Sequence, residues 1–326
     1  MPRRTTKASR TRRATASTRT AYAAGNRLAE EILRDRRAAL RRRAKAIRSR
    51  SVRMLDIGAP AVAKKFVDAA GPAGIATLVA EGDSWFNYPG KDVLSALHEL
   101  GYDIEHVAKP GDLIESMAYL PGELAEFARV LEKLARRQIR PKAVLLSGGG
   151  NDVAGDQFQM LLDHAASKKP GLNEDVVRGV IDVRVRNAYD SIIKAITKLC
   201  HDIIDDKIPI PILLHGYGNP VPDGRGFWGG ALLLPGPWLR PGFDQKGFTD
   251  QDANTATMEV LIGRFNTMLA AVADGFKHVH YVDVRGALQN GPNYRQWWAN
   301  ELHPKDRGFD AVAKIIADKL DRLGPV

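Results

Sequence analysis

Four short segments of this chain carry residue types that could together cleave an ester. Ser84, in a Gly-Asp-Ser-Trp segment, has a hydroxyl that a neighbouring base could activate for nucleophilic attack. Gly111 and Asn151 offer a backbone N–H and a neutral side-chain amide, which are the kinds of donor that stabilise a negatively charged oxygen. His303, in Asn-Glu-Leu-His-Pro, has an imidazole that could act as the base.

Each of these residues alone also has a structural explanation. Asp83 or Ser84 could cap the helix that follows, and Gly111 could belong to an ordinary turn. The glycines at 148–150 could form a tight turn or a phosphate loop, although no Gly-Lys-Ser/Thr follows them. An isolated His303 would by default be a surface histidine. It is the occurrence of all four segments in order that favours catalysis.

In this order the segments resemble the four sequence blocks of the SGNH/GDSL hydrolase family, in a form similar to a bacterial branch. The resemblance covers most of residues 71–326. It implies Ser84 as the nucleophile of an acyl-enzyme, His303 as the general base, and an oxyanion hole from the Ser84 N–H, the Gly111 N–H and the Asn151 side chain. It also implies a flavodoxin-like, three-layer α/β/α fold with a parallel sheet of about five strands. Members of the family include esterases, lipases, thioesterases, carbohydrate deacetylases and acyltransferases, so the substrate stays open.

One position departs from the family pattern. The family usually has an aspartate three residues before the histidine, and here that residue is Asn300. The acid orients the imidazole and stabilises its cation, whereas an asparagine can accept a hydrogen bond but carries no charge. Ser84 and His303 could therefore work as a dyad helped by Asn300 or a backbone carbonyl. Alternatively, Glu301 or Asp283 could replace the missing acid.

Residues near these segments are candidates for substrate contacts. His215 ends the fourth predicted strand and would face the same rim of the sheet, either as a contact for substrate or as a group that supports the residues around the site. The segment 216–252 is rich in glycine, proline and aromatic residues, and it could form an apolar lid or acyl pocket for a short or medium chain. A packed surface loop explains the same composition. The predicted substrate-binding residues are Asp83, Trp85, His215, Tyr217, Phe227, Trp228 and Trp238.

The elements that position these residues follow an alternating pattern from residue 75 onward. Short apolar runs alternate with helical patterns, which predicts a parallel sheet covered on both faces. Ligands bind at the carboxyl ends of the strands in such a sheet, and the Ser84, Gly111 and Asn151 segments fall there. The predicted strands are 75–81, 102–108, 143–147, 210–215 and 279–284, and the predicted helices are 92–100, 122–137, 185–204, 255–273 and 308–323.

The chain divides into three parts by composition. Residues 1–53 form a basic extension in which 1–20 are expected to be disordered and 23–50 helical. Leu33, Leu40, Ala44 and Ile47 could form a narrow apolar stripe on this helix. Residues 54–70 are predicted to be a connecting helix, and 71–326 the hydrolase domain with insertions at 154–182 and 216–252.

Charge is distributed unevenly. The net charge is +10, but residues 1–53 hold 18 Lys and Arg against three acids, and the remainder holds 30 against 35. The basic extension could contact nucleic acid or an anionic membrane without sequence preference. Its helix could also pair with another chain, pack on the body of the protein, or simply be solvated. The first of these possibilities allows a competing hypothesis, in which a decayed hydrolase scaffold serves a non-catalytic anion-binding protein.

Several classes of function are disfavoured by what the sequence lacks. The single cysteine, Cys200, cannot form an internal disulfide, and neither a run of 18 apolar residues nor the apolar stretch of a secretory signal occurs. We therefore expect a cytoplasmic protein. No metal-binding motif is evident, and no cofactor is expected. The sequence predicts a carboxylic ester hydrolase acting on a small-molecule, glycan or lipid ester, with glycan O-deacetylation or acyl transfer as alternatives.

Overall fold

The computed structural model describes residues 15–55, 76–205, 208–227 and 235–323. Within these ranges five parallel strands form the central sheet, in the spatial order β2-β1-β3-β6-β7. The strands are β1 (Ala76–Glu81), β2 (Tyr102–His106), β3 (Ala143–Leu146), β6 (Ile212–His215) and β7 (Val279–Val282). The predicted three-layer α/β/α fold with a five-stranded parallel sheet is therefore confirmed.

The central strands form because their residues are apolar on both faces. All four residues of β3 are buried, and so are all four of β6. Such strands need helices on both sides of the sheet. Helices α2 (Val93–Glu99) and α9 (Asp306–Asp321) pack against each other. A second group centres on α6 (Arg186–Ile204), which contacts α3 (Ile114–Tyr119), α4 (Pro121–Arg136) and α8 (Gln251–Ala273).

The two predicted insertions contain short elements. Residues 154–182 hold a 3-10 helix (Gly155–Leu161), a two-stranded hairpin of β4 (Leu162–Asp163) and β5 (Gly171–Leu172), and α5 (Glu174–Val177). A π-helical segment, Arg178–Val185, then leads into α6. In the described part of 216–252 the chain is irregular except for α7 (Arg240–Gln245). Residues 228–234, which include Trp228, lie outside the described residues.

The N-terminal helix begins earlier than predicted and belongs in part to the body of the protein. Helix α1 runs from Ala16 to Leu55, so residues 16–20 are helical where disorder was expected. Thr18, Ala21, Ala29 and Ile32 are buried. Their spacing is that of one helix face, and this face packs on α6.

Gly25 permits the close approach of α1 to α6. A Cβ at this position would lie 2.0 Å from the backbone oxygen of Ser191 in α6. Of the alternatives left open for this helix, the first half of α1 packs on the body, because its residues are small or apolar on the side that meets α6. Leu33, the first residue of the predicted stripe, is buried, and the side chains of Leu40, Ala44 and Ile47 lie outside the described residues. Residues 1–14 and most of the predicted helix 54–70 also lie outside them.

No helix in the described ranges combines the length and the apolar character needed to cross a bilayer.

Candidate active site

The predicted site residues come together at the carboxyl edge of the sheet. Ser84 follows β1, Gly111 follows β2, and Asn151 follows β3. His303 lies in the loop between β7 and α9. Since all the strands are parallel, their carboxyl ends share one edge, and residues that are 219 positions apart in the chain become neighbours.

Ser84 and His303 are in direct contact. Nε2 of His303 lies 2.8 Å from Oγ of Ser84. The imidazole is buried, with 6% of its surface exposed, whereas Ser84 is half-buried. The indole N–H of Trp85 donates to the carbonyl of Leu302 at 3.0 Å, which ties the serine segment to the histidine loop. Trp85, predicted to contact substrate, is thus also part of the framework that holds this pair.

Asn300 holds the other side of the imidazole. Its Oδ1 lies 3.0 Å from Nδ1 of His303 and accepts hydrogen bonds from the backbone N–H groups of Leu302, at 3.0 Å, and His303, at 2.9 Å. Because backbone N–H groups can only donate, they fix Oδ1 as the oxygen end of the amide. We therefore assign the proton to Nδ1 of His303, which leaves the lone pair of Nε2 facing the Ser84 hydroxyl.

The imidazole lies between two aromatic rings. The ring of Tyr88 stacks on His303 with 4.3 Å between centroids and 22° between planes, and Trp238 meets it edge-on at 5.6 Å. This burial lowers the pKa of His303 to about 3, because desolvation disfavours the imidazolium. His303 is thus held neutral, as a base must be. Tyr88 was missed at the sequence level, since nothing in its local pattern distinguishes it from an ordinary loop tyrosine.

Neither acid considered as a substitute for the missing aspartate contacts His303. The carboxylate of Glu301 accepts hydrogen bonds from the backbone N–H groups of Gly224, Trp238, Leu239 and Arg240, at 2.6–3.0 Å. It is fully buried and fastens the 216–252 segment to the histidine loop. Asp283 instead pairs with Arg285, which lowers the pKa of Asp283. These two alternatives are therefore excluded by geometry.

The predicted oxyanion donors lie on neighbouring loops. Gly111 has φ of +83°, a conformation that L side chains rarely adopt, and it is exposed. Nδ2 of Asn151 donates to the carbonyl of Asp112 at 2.9 Å, which holds the two loops together and leaves its second hydrogen available. Within the described part of the chain, the backbone N–H groups of Ser84 and Gly111 donate to no protein acceptor.

Buried carboxylates support these loops. Asp83, predicted to contact substrate, is 2% exposed and accepts hydrogen bonds from the Trp85 N–H and the Ser147 hydroxyl, both at 3.0 Å, and from the Tyr217 hydroxyl. The same Tyr217 oxygen accepts the N–H of Gly150 at 3.4 Å. Asp83 and Tyr217 therefore join the ends of β1, β3 and β6, and contact of these two residues with substrate stays a prediction.

Asp152 links the two oxyanion loops in a further way. One carboxylate oxygen accepts the N–H of Ile114 at 2.9 Å, at the start of α3 and three residues beyond Gly111. Desolvation raises the pKa of Asp152 to about 6. Although Asp152 follows Asn151 directly, its role in fixing the Gly111 loop was not recognised from the sequence.

His215 lies behind residues of the site, which favours a supporting role over a contact with substrate. It is 2% exposed, its Nδ1 lies 2.7 Å from the carbonyl oxygen of Gly216, and its ring packs against Trp85 and Phe86. Burial lowers the pKa of His215, so it is a neutral part of the core. Phe227 packs edge-on against Tyr88 at 5.6 Å, which places it behind the ring that covers His303.

A small apolar cavity of about 50 Å³ opens beside Ser84. Ser84, Asn151 and Leu302 line this cavity, and Leu239 adds an apolar side chain from the 216–252 segment. Three residues that were predicted to contact substrate also line it: Asp83, Trp85 and Tyr217. Helix α8 supplies one wall through Met258, Ile262 and Phe265, whose spacing places them on one helix face. The sequence pattern identified α8 as a helix but gave no signal that this face meets the site.

The chain is similar to one protein family and to several solved structures. The GDSL-like lipase/acylhydrolase family matches residues 66–311. Solved structures with a similar fold include a lipase from a goat rumen metagenome (13% identity, TM-score 0.45, covering 74% of this chain and 96% of that chain). Another is a family 3 carbohydrate esterase from Clostridium thermocellum (14% identity, TM-score 0.40, covering 77% of this chain and 99% of that chain). A third is an acetyl xylan esterase variant from Geobacillus stearothermophilus (14% identity, TM-score 0.39, covering 76% of this chain and 95% of that chain).

These similarities are too distant to indicate a substrate. No curated protein matches the sequence significantly. The family match, in contrast, covers more than half of the chain and includes all four segments that form the site. The chain therefore belongs to the GDSL-like lipase/acylhydrolase family.

Proposed function

We propose that this protein is a serine ester hydrolase that cleaves carboxylic esters through an acyl-enzyme on Ser84. The observation that carries the proposal is the 2.8 Å contact between Nε2 of His303 and Oγ of Ser84, with Nδ1 held by Asn300. A serine hydroxyl becomes a competent nucleophile when a base removes its proton during attack. An oriented, neutral imidazole within hydrogen-bond distance meets this requirement.

The reaction follows from these positions. Oγ of Ser84 attacks the ester carbonyl carbon while its proton passes to Nε2 of His303, and the carbonyl oxygen becomes negative. The imidazolium then donates this proton to the departing alcohol oxygen as the ester C–O bond breaks, and the acyl group stays on Ser84. A water molecule attacks the acyl carbon in the same way, with His303 first taking and then returning a proton, and the acid is released.

The negative oxygen needs preorganised donors. We assign this role to the N–H of Ser84, the N–H of Gly111 and the second Nδ2 hydrogen of Asn151. The supporting observation is that neither backbone N–H has an acceptor among the described residues. Removing one such donor from a hydrolase costs roughly 10²–10³-fold in kcat, so this group of donors would supply a large part of the rate enhancement.

The cavity beside Ser84 favours a short acyl chain over a medium one. Its volume of about 50 Å³ and its apolar walls fit a group of a few carbon atoms. An acetylated glycan and a simple short-chain ester present the same acyl group, so the alcohol part remains open. Transfer of the acyl group to another alcohol instead of water uses the same steps.

The test is an ester panel combined with active-site substitution. We expect p-nitrophenyl acetate and propionate to be hydrolysed faster than octanoate, and the Ser84→Ala variant to lose roughly 10⁴-fold in kcat or more with an unchanged fold. Intact-mass analysis during turnover should find the acyl group on Ser84. Full activity in Ser84→Ala would contradict the proposal. Far better turnover of acetylated sugars than of simple esters would favour the glycan deacetylase.

The basic N-terminal segment is the basis of the alternative, a non-catalytic anion-binding protein. Deleting residues 1–53 would also remove the part of α1 that covers α6, so it would confound binding with instability. Replacing Arg41, Arg42 and Arg43 by Gln leaves the packed half of the helix intact. Loss of salt-dependent oligonucleotide binding in this variant, together with a wild type that cleaves no ester, would favour the alternative.

A further inference from the structure

His303 has an unusual environment for a base that must carry a positive charge during the reaction. Its Nδ1 partner is a neutral amide, and burial is what shifts its pKa. We propose that Tyr88 is a positioning residue for His303 that, with Asn300, takes over the two tasks of the missing carboxylate. It fixes the tautomer and orientation of the ring, and it stabilises the imidazolium. This inference rests on the proposed serine hydrolase function.

The first contact is the stacking of the two rings. The phenol and imidazole centroids are 4.3 Å apart and the planes differ by 22°, so one face of the imidazole is covered by an aromatic face. A cation within about 6 Å of a tyrosine ring face is attracted by the ring's quadrupole, and more strongly in a desolvated site. His303 is charged only while the tetrahedral intermediate forms and breaks down. The attraction therefore lowers the barrier rather than the energy of the resting enzyme.

The second contact is the hydrogen bond between Tyr88 and Asn300. The phenol oxygen accepts from Nδ2 of Asn300 at 3.1 Å, while Oδ1 is held by the N–H groups of Leu302 and His303. Both ends of the amide are thus fixed. A flipped amide would present its NH₂ group to Nδ1 of His303 and move the proton to Nε2, which could then not accept the Ser84 proton. Tyr88 therefore acts on the base through Asn300 as well as directly.

Tyr88 is itself held in place. Its backbone N–H donates to the carboxylate of Asp92 at 3.3 Å, and its ring packs against Phe227 and Phe309. Burial raises the pKa of the Tyr88 phenol, so it stays neutral. A neutral phenol can stabilise a neighbouring cation only through its ring face and dipole.

The charged groups around the imidazole are engaged elsewhere. Asp92 caps α2, Glu301 binds four backbone N–H groups, and Arg240 pairs with Asp244. No charged group contributes to the pKa of His303, for which desolvation is the sole cause. The aromatic face and the amide of Asn300 are therefore the groups in the described site that can respond to the charge on the ring.

The test compares two substitutions of Tyr88. Tyr88→Leu keeps apolar bulk but removes the aromatic face, and we expect kcat to fall roughly five- to thirty-fold with little change in KM. Tyr88→Phe keeps the face and loses only the hydrogen bond to Asn300, so its loss should be smaller. Tyr102→Leu is the matched control, because Tyr102 is a buried tyrosine at the amino end of β2, at the edge of the sheet opposite to the site. Its kcat per folded molecule should stay within about two-fold of wild type.

The same substitutions in an Asn300→Asp background separate positioning from general packing. A carboxylate at 300 supplies the missing charge and has no amide to orient, so both Tyr88 substitutions should then cost much less. Equal losses in the two backgrounds, or a folded Tyr88→Leu variant with wild-type kcat, would overturn the inference. If Tyr88→Leu does not fold, Tyr88→Phe is compared in the same two backgrounds. A Tyr88→Phe variant with the same kcat as wild type would then count against the inference.

The two proposals fail in different ways. If wild-type Ser84 does not react with a fluorophosphonate, the serine hydrolase function itself is wrong. If Ser84 reacts but kcat is insensitive to Tyr88, only the role of Tyr88 is wrong.

Discussion

The two sides of the candidate site are built from opposite kinds of groups. On the base side, the 300–303 loop, His303 is held by the neutral amide of Asn300 and by aromatic rings. On the oxyanion side, the loops after β1, β2 and β3, buried carboxylates hold the chain in place through Asp83 and Asp152. The chain therefore uses buried carboxylates for its scaffold, including Glu301 on the base side, but the hydrogen-bond partner of the imidazole Nδ1 is a neutral amide.

This difference has a chemical consequence. A carboxylate beside an imidazole raises its pKa and makes it a stronger base, whereas a neutral partner in a desolvated site does the reverse. The base of this enzyme should therefore be weaker but should stay unprotonated in more acidic solution. The adjacent Glu301 shows that a carboxylate can be accommodated in this loop, although here it binds the 216–252 segment.

The largest effect should come from removing scaffold charge on the oxyanion side. The carboxylate of Asp83 accepts hydrogen bonds from three donors. In Asp83→Asn, at least one of these donors meets an NH₂ group instead of an oxygen, because an amide side chain has a single acceptor atom. We expect the turn at Ser84 and the Gly150 loop to shift. The expected fall in kcat/KM is roughly 10²-fold, comparable to loss of an oxyanion donor. The free energy of unfolding should also fall by about 1–3 kcal/mol, as measured by urea denaturation.

The control for this change is Asp156→Asn, at an exposed position on the 3-10 helix. It changes the net charge by the same amount, and it should leave both kcat/KM and the free energy of unfolding within error of wild type. An Asp83→Asn variant with unchanged kcat/KM would mean that the carboxylate scaffold does not hold the oxyanion loops.

The second effect comes from adding charge on the base side. In Asn300→Asp, a carboxylate would accept the Nδ1 proton of His303 and raise the pKa of the imidazole by roughly 1–3 units. The acidic limb of the pH profile of kcat/KM should move to higher pH by the same amount, because the base is protonated earlier as pH falls. At pH 8, kcat should rise, since the imidazolium is better stabilised.

Asn293→Asp is the matched control, because it introduces the same charge at an exposed loop position. Its pH profile should overlay that of wild type. If Asn300→Asp leaves the acidic limb in place, the neutral amide is not what distinguishes this base.

The smallest effect concerns Asp152 and should be mainly on stability, because an amide oxygen at this position can still accept the N–H of Ile114. The pKa of Asp152 is raised to about 6, so the folded state binds the proton more tightly than the unfolded chain does. The resulting stability is fully present below about pH 4 and is lost as pH rises through about 6. In Asp152→Asn, which cannot ionise, this loss should be absent.

The measurement is the free energy of unfolding of Asp152→Asn and of wild type. As pH rises from 4 to 8, the value for the variant should increase relative to that for wild type by about 2–3 kcal/mol. A difference that is constant over this range would show that Asp152 ionises normally.

The sequence allowed the sheet and the positions of Ser84, Gly111, Asn151 and His303 to be predicted because these depend on local signals. Short apolar runs followed by glycine mark buried parallel strands and their carboxyl ends, and strand ends in a parallel sheet meet at one edge. The boundaries of the predicted strands differ from the observed ones by a few residues at most.

The partners of the site residues could not be predicted because they depend on contacts between distant segments. Glu301 binds N–H groups that are 61–77 residues away, and Tyr88 meets a loop 212 residues further along the chain. Spacing carries no information about such pairs. The role of His215 could not be decided for a related reason, since a residue at a strand end can point into the core as readily as toward substrate.

The packing of α1 on α6 could also not be predicted from the sequence. Its composition is that of a solvated basic helix, and the face that meets α6 consists mainly of small residues. Gly25 would normally weaken a helix, and its value becomes apparent only where another backbone approaches it.

The most direct test is the pH dependence of Ser84 modification by a fluorophosphonate, followed by intact-mass analysis from pH 4 to pH 9. Such a reagent needs no knowledge of the natural substrate and reports on the nucleophile and its base together. We predict a single adduct on Ser84 whose rate of formation shows no protonation step near pH 6.5 and declines only below about pH 5. Absence of the adduct, or a rate that falls by half near pH 6.5, would contradict a serine activated by a buried imidazole without a carboxylate.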